Sequence, residues 1–142
     1  MKALLPFIVF LVSLASCGNP ENGDTPASEN DLDAARNFIR AALDRKWPEA
    51  RRYMLQDSAN VERLEKIEAF YINEDREERR GYREASITTH EARKVNDSVT
   101  IVHYSNSFKN EKDSLKVVRV NGRWLVDFKY TFLPPDSSAY VD

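Results

Sequence analysis

Two histidines, His90 and His103, are the side chains of this sequence best suited to hold a metal ion or to change charge near neutral pH. They lie on either side of Asn96-Asp97, a dipeptide that predicts a tight turn between two strands. A two-residue turn there places position 90 directly opposite position 103. Two imidazoles at that separation could share a metal or respond to acid. No third ligand is evident, however, and a polar outer sheet face would carry the same residues, so we expect no metal or other cofactor.

A carboxylate and a phenol, Glu91 and Tyr104, form the best pair that the sequence offers for isomerase or dehydratase chemistry. That chemistry needs a pocket carboxylate or histidine poised near neutral pH, and a hydroxyl that donates to the developing oxyanion. Both side chains could face the same side as Trp124, although Glu91 also fits a solvated charge on a strand. Asp127 is a weaker candidate base, because the predicted register sets it opposite Lys116 on the other face. We assign no catalytic residue from these patterns.

The single cysteine, Cys17, ends a segment with the properties of an export signal. A lysine precedes an almost wholly apolar run over residues 3–14. This run is too short for a membrane span of roughly 17–25 residues, but it suits a signal peptide. The segment closes on Leu14, Ala15 and Ser16 immediately before Cys17, and this motif resembles the bacterial lipobox.

The resemblance to a lipobox implies that the Cys17 thiol becomes a thioether to diacylglycerol and that the freed amine is acylated, with palmitate as a typical chain. Ala15 and Ser16 are small enough to give the signal peptidase access to the bond. Each buried methylene contributes about 0.8 kcal/mol, so two or three chains would give lasting membrane attachment. An ordinary secretory signal with a chance cysteine is the alternative. Gly18, by resemblance to sorting in Gram-negative bacteria, favours the outer membrane of the cell envelope.

The composition divides the chain into a signal, a tether, one folded domain and a tail. Residues 1–16 are the predicted lipoprotein signal peptide, and residues 17–30 hold the lipidated cysteine and a flexible tether. Residues 31–133 can form one domain, followed by a tail over 134–142. A net charge of −2 leaves no broad basic surface for nucleic acid. The sequence also lacks the motifs of phosphate loops, nucleophile elbows, zinc peptidases and EF-hands.

Three helices are predicted in the first half of the domain. Asn30 or Asp31 can cap the first helix, which should end near Lys46 because Pro48 favours a new helix start. Its apolar stripe consists of Leu32, Ala35, Phe38, Ile39, Ala42 and Leu43. The second helix is predicted over residues 48–55.

The third predicted helix begins after Asp57 or Ser58 and stops before Gly81. Its inward face is predicted to consist of Val61, Leu64, Ile67, Phe70 and Tyr71. Residues 74–84 hold five acids and four arginines at helix-pairing distances. That pattern favours a solvated helix end over a binding patch.

Four antiparallel strands are predicted after Arg83. There the spacing of apolar residues changes from the helical period to the period of two that is typical of strands. They cover residues 85–95, 98–108, 114–120 and 123–132, with Asn121-Gly122 as a strong hairpin signal. On the last strand the even positions share a face that covers the core or lines a pocket: Trp124, Val126, Phe128, Tyr130 and Phe132.

The turn over residues 109–113 decides which side chains join that face. A turn of two or four residues adds Tyr104, Asn106 and Phe108, whereas a three-residue turn adds Val99, Ile101 and His103. We take the following as candidate pocket lining: Tyr104, Asn106, Trp124, Val126, Phe128 and Tyr130.

The order of elements, three helices before a four-stranded meander, indicates an α+β fold. The helix with Ala35, Phe38, Ala41 and Ala42, the following WPEARRYM and the closing NGRWLVDF resemble a domain of unknown function common in small bacterial lipoproteins. That family belongs to the nuclear transport factor 2-like, or cystatin-like, superfamily. The resemblance covers about residues 31–132 and implies a curved sheet wrapped around a long helix, with a cone-shaped cavity.

Three functions are compatible with these expectations, because relatives of this superfamily use the cone in different ways. The first is a lipid-anchored accessory protein that binds a small ligand or an envelope protein without chemistry. The second is an isomerase-like or dehydratase-like enzyme. The third is a homodimerisation module that uses the outer sheet face, where Val118, Val120 and Leu125 would otherwise be exposed. We expect the first, which requires only an anchor, a tether and a compact domain.

Overall fold

The computed structural model describes residues 27–130, which form four α-helices and a four-stranded antiparallel sheet. The helices are α1 (Asp31–Leu43), α2 (Trp47–Arg52), α3 (Ser58–Tyr71) and α4 (Arg76–Glu84). The strands are β1 (Ile87–Asn96), β2 (Val99–Asn106), β3 (Lys112–Val120) and β4 (Arg123–Asp127), followed by a 3-10 turn at Phe128–Tyr130. Each strand pairs with the next along the chain. The predicted signal peptide, Cys17, most of the tether and the tail lie outside the described residues.

The first helix lies against the sheet and supplies much of the core. As predicted, Asn30 caps α1, because its side-chain oxygen accepts a hydrogen bond from the Asp33 amide at 2.9 Å. The helix ends at Leu43, before the predicted end near Lys46. Its buried face consists of Ala34, Ala35, Phe38, Ile39, Ala41 and Leu43. Since α1 contacts all four strands, it is the element on which the sheet is assembled.

The second helix is shorter than predicted because the chain leaves it to join the sheet. It ends at Arg52 instead of continuing to Leu55. The Val126 amide donates to the Tyr53 carbonyl at 2.8 Å, and the Leu55 amide donates to the Val126 carbonyl at 2.9 Å. These bonds place residues 53–55 along β4.

The third predicted helix is in fact two helices with a corner between them. The chain was expected to stay helical until just before Gly81, but α3 ends at Tyr71 and α4 then runs through that glycine. Asp75 restarts the helix, because its carboxylate accepts the Glu78 amide hydrogen at 2.8 Å. The predicted inward position of Phe70 is wrong, since this side chain near the corner is 76% exposed.

The hairpin between β3 and β4 has the predicted register. Its pairs include Val120 with Arg123, Val118 with Leu125 and Lys116 with Asp127. The turn residues Asn121 and Gly122 have φ of 50° and 77°, the left-handed conformation that an Asn-Gly turn adopts. Asp127 is therefore on the sheet face away from Trp124, as expected.

The loop between β2 and β3 brings Tyr104 to the core face of the sheet. Tyr104 pairs with Asp113, and an even number of residues separates the paired strand ends. This parity puts Tyr104 on the same face as Trp124, as the first of the two predicted alternatives requires. The other alternative, with His103 on that face, is wrong.

Two irregularities in β1 change its pairing with β2. The turn, predicted at residues 96–97, lies one residue later, and bulges interrupt β1 near that turn and at residues 89–91. Glu91, and not His90, is consequently opposite His103. The predicted direct pairing of the two histidines is wrong because a bulge inserts one unpaired residue and shifts every later partner.

The fourth strand is shorter than predicted because α3 intercepts its end. Asn60 of α3 accepts a hydrogen bond from the Lys129 amide at 2.8 Å and donates to Asp127 Oδ1 at 3.1 Å. The strand stops at Asp127, so the predicted alternation does not continue to Tyr130, which is 48% exposed. Phe132 lies outside the described residues.

Candidate functional site

A cavity of about 440 Å³ opens between the C-terminal half of α1, α3, α4 and the β2–β3 hairpin. This volume is within the range of roughly 300–1,000 Å³ that small-molecule sites occupy. The apolar part of its wall includes Phe38, Ile39, Ala42, Leu43, Leu64, Ile67 and Phe128. A second depression of about 550 Å³ lies over α2 and Leu125, but it is a more open trough without a buried titratable group. The first cavity is therefore the candidate site.

A phenol and a carboxyl, Tyr104 and Asp113, form the polar floor of the cavity. Tyr104 Oη donates to Asp113 Oδ2 at 3.3 Å, and the Ser114 amide donates to Asp113 Oδ1 at 2.7 Å. Burial raises the pKa of Asp113, against the opposing effects of these two hydrogen bonds and of the positive charge of Arg63. Burial and the nearby Asp113 charge raise the pKa of Tyr104 as well. The floor thus holds a permanent phenol beside a carboxyl that keeps its proton to higher pH than an exposed aspartate.

Next to this pair, Asn106 presents a fixed amide to the cavity. Its side-chain Oδ1 accepts hydrogen bonds from the Phe108 and Lys109 amides at 3.1 and 3.0 Å. These bonds determine which end of the amide is the oxygen and direct Nδ2 away from the loop backbone. Within residues 27–130, Nδ2 makes no hydrogen bond. Asn106 therefore adds an unused donor to the cavity wall.

At the mouth of the cavity, Arg45 joins the corner between α1 and α2 to the corner between α3 and α4. Its backbone has φ of 60°, and its guanidinium makes a two-pronged contact with Glu74, whose side chain is 1% exposed. The guanidinium also lies over the Tyr71 ring at 3.8 Å and the Tyr82 ring at 4.6 Å. Charge, hydrogen bonds and aromatic stacking all hold Arg45 in place, so the corners keep the mouth in a defined shape.

The β2–β3 loop forms the other side of the mouth and is docked on α4. The Phe108 ring lies against Gly81, where any side chain would overlap it, and contacts the Tyr82 ring at 5.0 Å between centroids. Lys109 Nζ donates to Glu78 Oε1 at 2.9 Å. Gly81 therefore has a structural purpose, since its missing Cβ lets the loop close on the helix.

The structure distributes the predicted pocket residues between the cavity and the core. Tyr104, Asn106 and Phe128 line the cavity. Val126 is fully buried in the core, and Trp124 is partly buried beside it. Tyr130 faces elsewhere, with Lys116 Nζ 4.0 Å from its ring centroid.

The weak catalytic pair of Glu91 and Tyr104 is not brought together. Glu91 is exposed on β1 and pairs with His103, on the sheet face opposite Tyr104. The carboxylate beside Tyr104 is Asp113, which the sequence pattern assigned to a turn. The even-loop alternative put these two positions on the same face, but no two- or four-residue turn within residues 109–113 sets position 113 opposite position 104.

The two histidines bind serine hydroxyls instead of each other. His90 Nε2 is 2.8 Å from Ser105 Oγ, and His103 Nδ1 is 2.8 Å from Ser114 Oγ. No cluster of three or more His, Cys, Asp or Glu side chains suited to a metal occurs within the described part of the chain.

The remaining candidate base, Asp127, is enclosed in a polar cluster at the end of β4. It is 4% exposed and lies 3.4 Å from both Lys116 Nζ and Lys129 Nζ, in addition to its bond from Asn60. It does not line the cavity. Asp127 is a structural carboxylate that ties α3 to the sheet.

The predicted lipid attachment at Cys17 and the peptidase recognition residues Leu14, Ala15 and Ser16 lie outside the described residues. Between residues 27 and 130, no helix is both long and apolar enough to cross a bilayer. In comparisons with known proteins, no family model, no curated protein and no solved structure matched the chain.

Proposed function

We propose that this chain is a lipid-anchored cell-envelope lipoprotein whose domain, a cystatin-like cone, binds a small ligand without chemistry. The LASC motif after a short apolar run supports the anchor, and Gly18 supports the outer membrane. The packing of α1 on a four-stranded meander supports the cone. No comparison identifies the family, so the proposal rests on the residues and on the geometry of the cavity.

The observation that carries the binding function is the composition of the cavity wall. Aliphatic and aromatic side chains surround a small polar floor of Tyr104, Asp113 and Asn106. Ligand sites typically have this design, in which apolar walls provide affinity and a few fixed polar groups provide orientation. A dimerisation module would need no open cavity.

The position of the cavity suits ligand exchange on the side of the domain away from the tether. The described chain enters α1 at Asp31, whereas the cavity follows the second half of that helix. Thirteen helical residues span about 20 Å. A ligand or an envelope partner would therefore approach the end remote from the anchor.

Native mass spectrometry of the full chain, purified gently from an envelope fraction, tests this function. Ile67→Trp places a large ring in the cavity, and Ile101→Trp on the outer sheet face is the matched control. We expect a small molecule to be retained by the wild type and by Ile101→Trp but lost from Ile67→Trp. Equal retention by both variants would contradict the cavity as the binding site.

A second function, an isomerase-like or dehydratase-like enzyme, is favoured by the contact between Tyr104 and Asp113. A carboxyl of raised pKa beside a phenol could move a proton next to a carbonyl group. Incubation of the retained molecule with the protein in heavy water tests this. Deuterium incorporation that disappears in Asp113→Asn would favour catalysis, whereas no incorporation supports simple binding.

A homodimer through the outer sheet face is a separate prediction. Val120 on that face is 41% exposed, and Val118 and Leu125 are partly exposed. The same mass measurement reports whether the chain is a dimer.

A further inference from the structure

The polar floor of the cavity has an arrangement of donors and acceptors that matches one chemical group. Building on the proposed binding function, we propose that the ligand is uncharged, with a compact hydrocarbon body and one hydroxyl group. Asp113 accepts a hydrogen bond from the hydroxyl group, and Asn106 Nδ2 donates one to the hydroxyl oxygen.

The donor is Asn106, whose orientation is set by the loop. Because two backbone amides already hold its Oδ1, the side chain cannot flip to present an acceptor without losing both bonds. It lies two residues beyond Tyr104 on the same strand, and hence on the same face. The cavity thus offers a fixed amide NH2 group at this end of its floor.

The acceptor is Asp113, assisted by Tyr104. Among residues 27–130, each Asp113 oxygen receives one hydrogen bond, from Ser114 or from Tyr104, and a carboxylate oxygen can accept two. Tyr104 uses its only proton for Asp113, so the phenol offers lone pairs to the cavity. A hydroxyl, which both donates and accepts, satisfies this floor, whereas an ether or a carbonyl leaves Asp113 without a new donor.

Charged ligands are disfavoured by the groups around the cavity. A cation would be attracted by Asp113, but it would lose its water in a largely apolar cavity that has Lys109 and Lys112 at its mouth. The faces of Tyr71 and Tyr82 are already covered by Arg45. An anion would meet Glu111 at the mouth and Asp113 at the floor. Since like charges in a desolvated site cost more than in water, the uncharged compound binds best.

A set of rigid probes that share one hydrocarbon cage tests this head-group preference. The probes are 1-adamantanol, 1-methoxyadamantane, 1-adamantylammonium and adamantane-1-carboxylate. Their affinities for the full chain in lipid nanodiscs are measured by calorimetry, with empty nanodiscs as the blank. We expect the alcohol to bind about tenfold more tightly than the ether, and both ions more weakly than the alcohol, because a hydrogen bond to a charged acceptor contributes on that scale.

Two variants assign the effect to the floor. Asp113→Asn should reduce the preference of alcohol over ether to within about twofold. Asn106→Asp keeps the oxygen that holds the loop but removes the donor, and should weaken alcohol binding about tenfold. Asn96→Asp is its control, because Asn96 Oδ1 similarly accepts the Ser98 amide at 2.9 Å but lies at the β1–β2 turn. This control should bind the alcohol like the wild type.

The possible results separate this inference from the proposed function. If the wild type binds alcohol and ether equally, or an ion most tightly, while Ile67→Trp abolishes binding, the cavity binds ligands but the hydroxyl preference is wrong. If no probe binds the wild type, the proposed binding function fails together with this inference. A preference for the alcohol that survives in both floor variants would also overturn the assignment to Asp113 and Asn106.

Discussion

Two aspartates on neighbouring strands, Asp113 and Asp127, are removed from solvent in opposite ways. Asp127 is surrounded by Asn60, Lys116 and Lys129, which bind it by hydrogen bonding and opposite charge. Among the described residues, Asp113 accepts hydrogen bonds from the neutral donors Ser114 and Tyr104, and burial raises its pKa despite the nearby positive charge of Arg63. Hydrogen bonds and opposite charges thus surround Asp127, which ties α3 to the sheet. At Asp113 in the cavity, the favourable contacts do not offset the effect of burial on the pKa. A site that awaits a ligand is expected to show this difference.

The largest expected effect on stability is in the polar cluster around Asp127, where α3 meets the sheet. Asn60→Ala removes three hydrogen bonds, one of them to the buried Asp127 carboxylate, and should lower the free energy of unfolding by about 3 kcal/mol. Urea denaturation measures this change, with Asn37→Ala on α1 as the helical control. A loss below about 1 kcal/mol would mean that Asp127 does not depend on its compensation.

A smaller effect is expected at the rim of the cavity. Gly81→Ala should displace the Phe108 ring from α4 and cost about 1 kcal/mol of stability. In a Phe108→Ala background the same change should be neutral or stabilising, since alanine favours a helix more than glycine does. Additive effects in this double-mutant cycle would contradict the docking of the loop on Gly81.

At the cavity floor, a mutation should stabilise the protein. The raised pKa of Asp113 means that the folded state binds its proton more tightly than the unfolded state does. This contribution is complete below the ordinary aspartate value of 3.8 and is lost as pH rises through the folded-state pKa. Asp113→Asn should therefore gain stability over the wild type as pH rises from 4 to 7. Urea unfolding at several pH values checks this, with the exposed Asp97→Asn as control, and a constant difference would contradict it.

The smallest effect is expected on the outer sheet face, where each histidine forms a hydrogen bond with a serine hydroxyl. Combined His90→Ala and His103→Ala substitutions should change stability by about 0.5 kcal/mol or less, because surface changes of this kind are near neutral. Added zinc should not alter the unfolding of the wild type. A zinc-dependent rise in melting temperature that requires both histidines would revive the shared metal site.

The sequence was most informative where one residue determines local geometry. Asn30 and Asp57 cap their helices as expected, and Asn121-Gly122 sets the register that places Asp127 opposite Lys116. Such signals are local, so they can be recognised without knowledge of the rest of the fold.

The candidate site depended on features without a local signal. The β2–β3 loop allowed either parity, and only the even one brings Asp113 to Tyr104. Bulges in β1 moved His90 away from His103 because each inserted residue shifts all later pairs. The corner before α4 depends on the distant Arg45, which binds Glu74. Such long-range contacts are established only in the complete fold.

The most direct test of the contrast between the two aspartates is a carbon NMR titration of their carboxyl groups with and without 1-adamantanol. A hydroxyl that donates to ionised Asp113 favours the charged form, so the alcohol should lower the pKa of Asp113, while the Asp127 signal does not respond to it. A ligand that only excludes water would raise the pKa of Asp113 instead. A rise, or no change at Asp113, would contradict the assignment of this carboxyl as the ligand acceptor.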